Sequence, residues 1–153
     1  VDDNKDAADS LCLLLRLWGY DCRVAYDGAA GLALACDHQP DCLILDIAMP
    51  GMDGYGLARE VCARPALGRA KLIALSAYSD EMHLRRAREA GFNFLLTKTT
   101  AFSEIERLMD MLTRVVRFEG KAEEMDPQNI TLDEDPVQEI KEGRAFEGRY
   151  AGR

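Results

Sequence analysis

The stretch Leu43-Ile44-Leu45-Asp46-Ile47-Ala48-Met49-Pro50-Gly51-Met52-Asp53-Gly54 decides how the rest of the chain is read. The unbroken apolar run from Leu43 to Leu45 predicts a strand buried on both faces of a parallel sheet, beginning near Asp41. It ends in a carboxylate, Asp46, and then in a Pro-Gly pair that cannot continue a strand. Asp53 stands where a helix N-cap belongs, ahead of an apolar-periodic run to Ala63. A carboxylate at the carboxyl end of such a strand faces the crevice where open α/β sheets bind ligands.

On either side of this stretch, strand patterns alternate with helix patterns. Helices are expected over Ala7–Trp18, Ala29–Cys36, Tyr55–Ala63, Asp80–Ala90 and Ala101–Val116, and strands over Cys22–Tyr26, Lys71–Ala77 and Phe92–Thr97. Leu11, Leu14, Leu15 and Trp18 share one face of the first helix; Ile105, Leu108, Met109 and Leu112 share one face of the last. Strand–helix alternation at this spacing means βαβ units, a parallel sheet and right-handed crossovers.

The chain has 153 residues, 48% of them apolar, enough for one core. No run of 18 apolar residues and no basic leader is visible, so neither membrane insertion nor a signal peptide is expected and a cytoplasmic setting is. Five cysteines without a C-x-x-C pair read as small buried thiols in a reducing compartment. The net charge of −8 argues against nucleic acid bound directly. That charge is uneven: residues 1–118 carry 14 basic and 17 acidic side chains, residues 119–153 carry 5 and 10. From 119 the periodicity fails, and 119–153 reads as an acidic tail or linker, mostly without fixed structure. Within it, Asp135-Pro136 could cap a two-turn helix to Glu142, a marginal length alone in water.

In a parallel sheet every strand delivers its last residue to one edge. Asp2 and Asp3 would end a first strand, Asp46 a third, Ser76 a fourth and Lys98 a fifth, so three carboxylates, a hydroxyl and an ammonium converge. Clustered carboxylates repel, and a hard divalent cation such as Mg²⁺ relieves that repulsion. An aspartate oxygen is also a competent nucleophile toward phosphorus, and phosphoryl transfer needs mainly positioning and charge neutralisation.

The ordered set D-D-N, D-x-x-M-P-x-M-D-G, S-A and a lysine after the fifth strand resembles the receiver domain of two-component response regulators, over residues 1–118. The resemblance implies a doubly wound, flavodoxin-like α/β fold with five parallel strands in the order 2-1-3-4-5. It implies phosphorylation of Asp46, Mg²⁺ held by Asp2, Asp3, Asp46 and the carbonyl of Ala48, and phosphate contacts from Ser76 and Lys98. The implied donor is a histidine kinase or histidine phosphotransfer protein. The implied role is that of a switch with slow self-dephosphorylation, not a turnover enzyme.

Three departures stand out. Thr99 occupies the place of a proline that usually follows a cis bond in the family, so this loop is expected to be strained or rebuilt. Leu95 replaces the aromatic residue often used as the family's switch. Only Val1 precedes Asp2, so the apolar first strand is absent; the expectation is that roughly five apolar residues are missing ahead of Val1, or that another segment fills the slot.

A haloacid-dehalogenase-type phosphatase would need a second acid at position 48, which is Ala48. A receiver fold that no longer accepts phosphate and serves as an interaction module is the remaining alternative, kept open by Leu95 and Thr99. Bland readings suffice for other residues: surface histidines at His38 and His83, a solvated helix face for Arg85, Arg86 and Arg88, and turn packing for Met49 and Met52.

Overall fold

The structure is a computed structural model that describes residues 1–100, 102–119 and 138–139. In chain order the elements are α1 (Lys5–Leu17), α2 (Gly28–His38), β1 (Cys42–Asp46), α3 (Gly54–Cys62), a 3₁₀ turn (Pro65–Leu67), β2 (Lys71–Ser76), α4 (Glu81–Ala90), β3 (Phe94–Thr97), α5 (Phe102–Glu119) and β4 (Gln138–Glu139). β1, β2 and β3 are the expected third, fourth and fifth strands. They pair in parallel in that order, with Leu45 opposite Ala74 and Ala74 opposite Leu95.

Strand periodicity sorts the core into two layers. Leu43 and Leu45, Leu72 and Ala74, and Leu95 face one cluster with Ala35 of α2, Leu57 and Val61 of α3, and Ala87 of α4. Ile44, Ile73, Phe94 and Leu96 face the other, with Leu15 of α1 and Ile105, Leu108, Met109 and Leu112 of α5. Each strand is therefore covered on both sides, which is why its sequence is nearly all apolar. This is the doubly wound, flavodoxin-like arrangement expected.

Helix starts follow one local rule. Asn4, Asp27, Asp53 and Asp80 each cap a helix by accepting a backbone N–H three residues on, from Ala7, Ala30, Gly56 and His83. Such caps satisfy amides that the first turn leaves without partners. α4 stops at Gly91, whose φ of 98° suits a residue without a Cβ.

The first two expected strands come out differently. Residues 22–26 form no ladder; among the described residues, Val1 and Asp2 lie between them and β1. Val1 donates its amine to the Ile44 carbonyl (2.7 Å) and accepts the Asp46 N–H (2.8 Å), the pattern of a parallel bridge to Leu45. Asp2 donates to the Ala25 carbonyl on the other side at 3.2 Å. Among the described residues no other segment enters the slot between residues 22–25 and β1. Of the stretch 119–153, Glu119 ends α5, and Gln138–Glu139 lie antiparallel on β3 instead of forming a helical turn. The rest of that acidic stretch lies outside the described residues.

The cysteines are free, but only Cys12 is fully buried; Cys36 and Cys62 sit on exposed helix faces. Burial pushes the Cys22 and Cys42 thiols up to about 12, so both rest protonated. Among the described residues no helix is long and apolar enough to cross a membrane.

Candidate functional site

Asp46 is the last residue of β1, Ser76 the last of β2, and Lys98 follows β3 directly. Backbone bonds across the strand ends hold the three in step: Ile47 N–H donates to Leu75 O (3.1 Å) and Lys98 N–H to Ser76 O (2.8 Å). Parallel pairing thus gathers residues 22 to 52 positions apart onto one edge.

Asp46 is 1% exposed and Asp2 6%, an expensive place for carboxylates unless they are paired. Lys98 pairs them: its Nζ lies 3.0 Å from Asp46 Oδ1 and 3.5 Å from Asp2 Oδ2. Burial draws the Lys98 ammonium down in pKa, yet the Asp46 and Asp2 carboxylates together outweigh it and the net displacement is upward. Backbone amides share the load. Asp2 Oδ1 accepts the Asn4 N–H at 2.9 Å, and Asp46 Oδ1 accepts the Ala48 N–H at 3.3 Å.

Asp3 is exposed and closes the group from the solvent side. One oxygen each of Asp2, Asp3 and Asp46 lie within 4.8 Å of one another. Three carboxylates outnumber the cations beside them, Lys98 and the Val1 amino group, and leave an excess of negative charge facing water. All the donors are hard oxygens, and the set fits Mg²⁺, which takes one to a few carboxylates and keeps its remaining positions for water or phosphate oxygens. Ser76, 3% exposed, is at the same edge, and its hydroxyl accepts the Tyr78 N–H at 3.0 Å.

The loop after Asp46 is built by close approach. Gly54 N–H donates to Ile47 O at 3.0 Å, and a Cβ at Gly54 would overlap the Asp46 carbonyl oxygen. Only glycine admits that turn, which explains the D-G after the two methionines. Met49 is buried and Met52 packs on the core, as turn packing requires. Asp53 is a helix cap, its Oδ1 taken by the Gly56 N–H at 2.7 Å.

The loop at Thr99 is rebuilt. Among the described residues no peptide is cis. Thr100 N–H turns back to Thr97 O at 2.9 Å, and Thr97 Oγ1 meets both Thr99 Oγ1 and Thr100 Oγ1 at 3.1 Å. Three hydroxyls thus hold the turn that carries Lys98.

Sequence reasoning missed what lies around α4. Arg86 lies exposed on the solvated face expected, and its guanidinium also stands 4.4 Å over the ring of Tyr55. Tyr78 stacks on His83 with centroids 5.2 Å apart, and His83 Nδ1 lies 2.6 Å from Asp80 Oδ2. The Asp80-x-x-His83 spacing at a helix start was a readable signal; the Tyr55–Arg86 contact, 31 residues apart, had none. Arg85, beside Glu89 at 3.8 Å with both side chains largely exposed, is the solvated pair expected.

Comparison with known proteins agrees with this geometry. Residues 1–110 match the family model described as response regulator receiver domain. The response regulator MprA of Mycobacterium tuberculosis (strain H37Rv) is 30% identical over 145 residues, 94% of this chain and 62% of that protein. This chain therefore spans less than two thirds of that relative. A crystal structure from Chloroflexus aurantiacus J-10-fl, assigned as a response regulator, is 35% identical with a TM-score of 0.68, covering 74% of this chain and 94% of that one. The receiver domain of a signal transduction histidine kinase from Syntrophus aciditrophicus is 27% identical with a TM-score of 0.66, covering 86% and 94%. With the family match covering the whole strand-end site, the chain belongs to the response-regulator receiver-domain family.

Proposed function

We propose that the chain is a phosphoaccepting switch that takes a phosphoryl group from a phosphohistidine onto Asp46. The observation that carries this reading is the environment of Asp46: 1% exposed, ending a core strand, with two further carboxylates and one ammonium at hand. An Asp46 carboxylate oxygen attacks phosphorus, the P–N bond to the donor imidazole breaks, and the departing ring nitrogen takes a proton. The product is an acyl phosphate on Asp46 and a neutral histidine. Asp2, Asp3, Asp46 and the Ala48 carbonyl would hold Mg²⁺, which when bound supplies charge neutralisation for the acidic group and the incoming phosphoryl oxygens. Lys98, already between Asp46 and Asp2, can turn its ammonium to a phosphoryl oxygen. The Ser76 hydroxyl, at the same edge, can donate to another.

The donor on this reading is a histidine kinase or a histidine phosphotransfer protein, in the cytoplasm. The domain is a signalling switch whose own dephosphorylation is slow, not an enzyme with turnover. Radiolabel from acetyl phosphate with Mg²⁺ tests the assignment. Wild-type protein should take up alkali-labile label, and Asp46→Asn, which keeps the shape and loses the nucleophile, should take up none while still melting cooperatively. Equal label on folded Asp46→Asn would refute it. Buried Leu95 and the rebuilt Thr99 turn favour a second reading, an interaction module that accepts no phosphate, and no label on folded wild-type protein would establish that one.

A further inference from the structure

Lys98 is the first residue beyond the β2–β3 ladder, whose last pair is Ser76 with Thr97. Its backbone is tied on both sides. The Lys98 N–H donates to Ser76 O at 2.8 Å, and the Thr100 N–H donates to Thr97 O at 2.9 Å, which closes a turn with Lys98 and Thr99 at its centre. The Thr97 hydroxyl is where the side chains of that turn meet. Thr97 Oγ1 lies 3.1 Å from Thr99 Oγ1 and 3.1 Å from Thr100 Oγ1. A hydroxyl carries one proton and two lone pairs, so this single oxygen can serve both neighbours at once.

The position of the Lys98 ammonium depends on that turn. Its side chain is 40% exposed, and a lysine stem is flexible. Only a fixed starting point brings Nζ to 3.0 Å from Asp46 Oδ1 and 3.5 Å from Asp2 Oδ2. Thr97 is half-buried and Thr99 exposed, so the turn reaches from the sheet edge out to water. Valine at position 97 would have the same branched shape and strand preference without the oxygen. The hydroxyl is therefore the part of Thr97 that the turn uses and the strand does not.

We propose that Thr97 is a positioning residue for Lys98: its hydroxyl, gathering those of Thr99 and Thr100, sets the turn from which the ammonium reaches Asp46 and Asp2. Two consequences follow. With the turn loosened, the ammonium competes less for the carboxylates, and Mg²⁺ binds them more tightly. An anion seated at Asp46 loses a charge-assisted contact and binds more weakly. The second consequence rests on Asp46 being the acceptor; the first needs only the acidic group.

Calorimetric titration with Mg²⁺ measures the first, and bound ¹⁹F resonances of fluoroberyllate at saturating Mg²⁺ measure the second, with urea melts showing that each variant is folded. Thr97→Val should bind Mg²⁺ several-fold more tightly and fluoroberyllate several-fold more weakly. Thr97→Ser, which restores the oxygen, should match wild type in both. Thr99→Ala and Thr100→Ala together, which remove the partners and leave Thr97 in place, should reproduce the Thr97→Val pattern. In a Lys98→Met background, Thr97→Val should alter neither affinity, because the hydroxyl acts through the ammonium. Unchanged affinities in folded Thr97→Val, or equal changes with Lys98 already replaced, overturn the positioning role. Wild-type protein that binds Mg²⁺ but no fluoroberyllate overturns the acceptor assignment and leaves the Mg²⁺ comparison to decide the role of Thr97. Folded wild-type protein that binds no Mg²⁺ overturns both.

Discussion

Lys98→Met keeps the apolar stem and removes the ammonium that lies between Asp46 and Asp2. At 3.0 Å the Lys98–Asp46 attraction is about 1.4 kcal/mol in bulk water and about 5.5 kcal/mol at an effective dielectric of 20. The Asp2 contact at 3.5 Å is slightly weaker. The lysine side chain is 40% exposed, which places the pair toward the watery end of that range. Its loss also leaves Asp46, 1% exposed, facing two carboxylates unpaired. A loss of about 2 kcal/mol in EDTA is therefore expected, or roughly 8 °C in Tm for a domain of this size. With Mg²⁺ the sign of the comparison changes. The variant's acidic group has lost its competing cation, so Mg²⁺ should bind it more tightly and stabilise it by more than it stabilises wild type. Urea melts followed by circular dichroism, with EDTA and with a Mg²⁺ titration, measure both quantities. A variant as stable as wild type in EDTA, or one that gains less from Mg²⁺, would refute the charge arrangement described.

Three further outcomes follow from single contacts. The Asp80 carboxyl is held below its usual 3.8, first by the His83 backbone N–H and then by the His83 ring; a lowered pKa means that its capping contribution is complete above the ordinary carboxylate range and drains as pH falls through the lowered value. The protection factor of the His83 amide, its exchange relative to the intrinsic rate at each pH, should fall on acidification in wild-type protein, and Asp80→Asn, which keeps the accepting oxygen, should remove that dependence. Gly54→Ala places a methyl 2.8 Å from Ile47 Cα and against the Asp46 carbonyl, so urea melts should show a loss of about 1–3 kcal/mol. Five apolar residues joined ahead of Val1 should extend the register that Val1 makes with Ile44 and Asp46; thermal melts should rise, exchange at residues 22–25 and 42–45 should slow, and no change in either would refute that register.

Much of the fold was legible because strand and helix periods differ and β1, β2 and β3 are buried on both faces. Leu43 to Leu45 and Leu72 to Leu75 read as strands from composition alone, and the α5 stripe of Ile105, Leu108, Met109 and Leu112 came out buried as its spacing required. The acidic group was legible for a topological reason. Parallel strands deliver their last residues to one edge, so Asp46 and Lys98, 52 positions apart, could be placed together before any distance was known. Residues 22–26 show the limit of such reading: Cys22 to Tyr26 has strand-like residues, but a ladder belongs to a pair of strands, and among the described residues this segment shares only the Asp2–Ala25 bond on the β1 side.

What escaped the sequence is set by packing across elements. Arg86 reads as a solvated charge, and it is exposed; nothing in its own helix says that Tyr55, on α3, will also present a ring face to it. The bare ammonium or guanidinium of a helix is ordinarily left in water; an aromatic face within reach changes that balance by a contribution comparable to a surface ion pair or larger. Tyr78 reads as a loop residue for the same reason, since its stack on His83 depends on where α4 starts, and that depends on the Asp80 cap. The Thr99 turn was legible as a departure but not in its remedy. The proline's absence was plain, while the three hydroxyls of Thr97, Thr99 and Thr100 that hold the turn required the chain to fold back over Thr97. Residues that share an element or a sheet edge could be assigned from order alone. Those that meet only because two helices pack, such as Tyr55 and Arg86, could not.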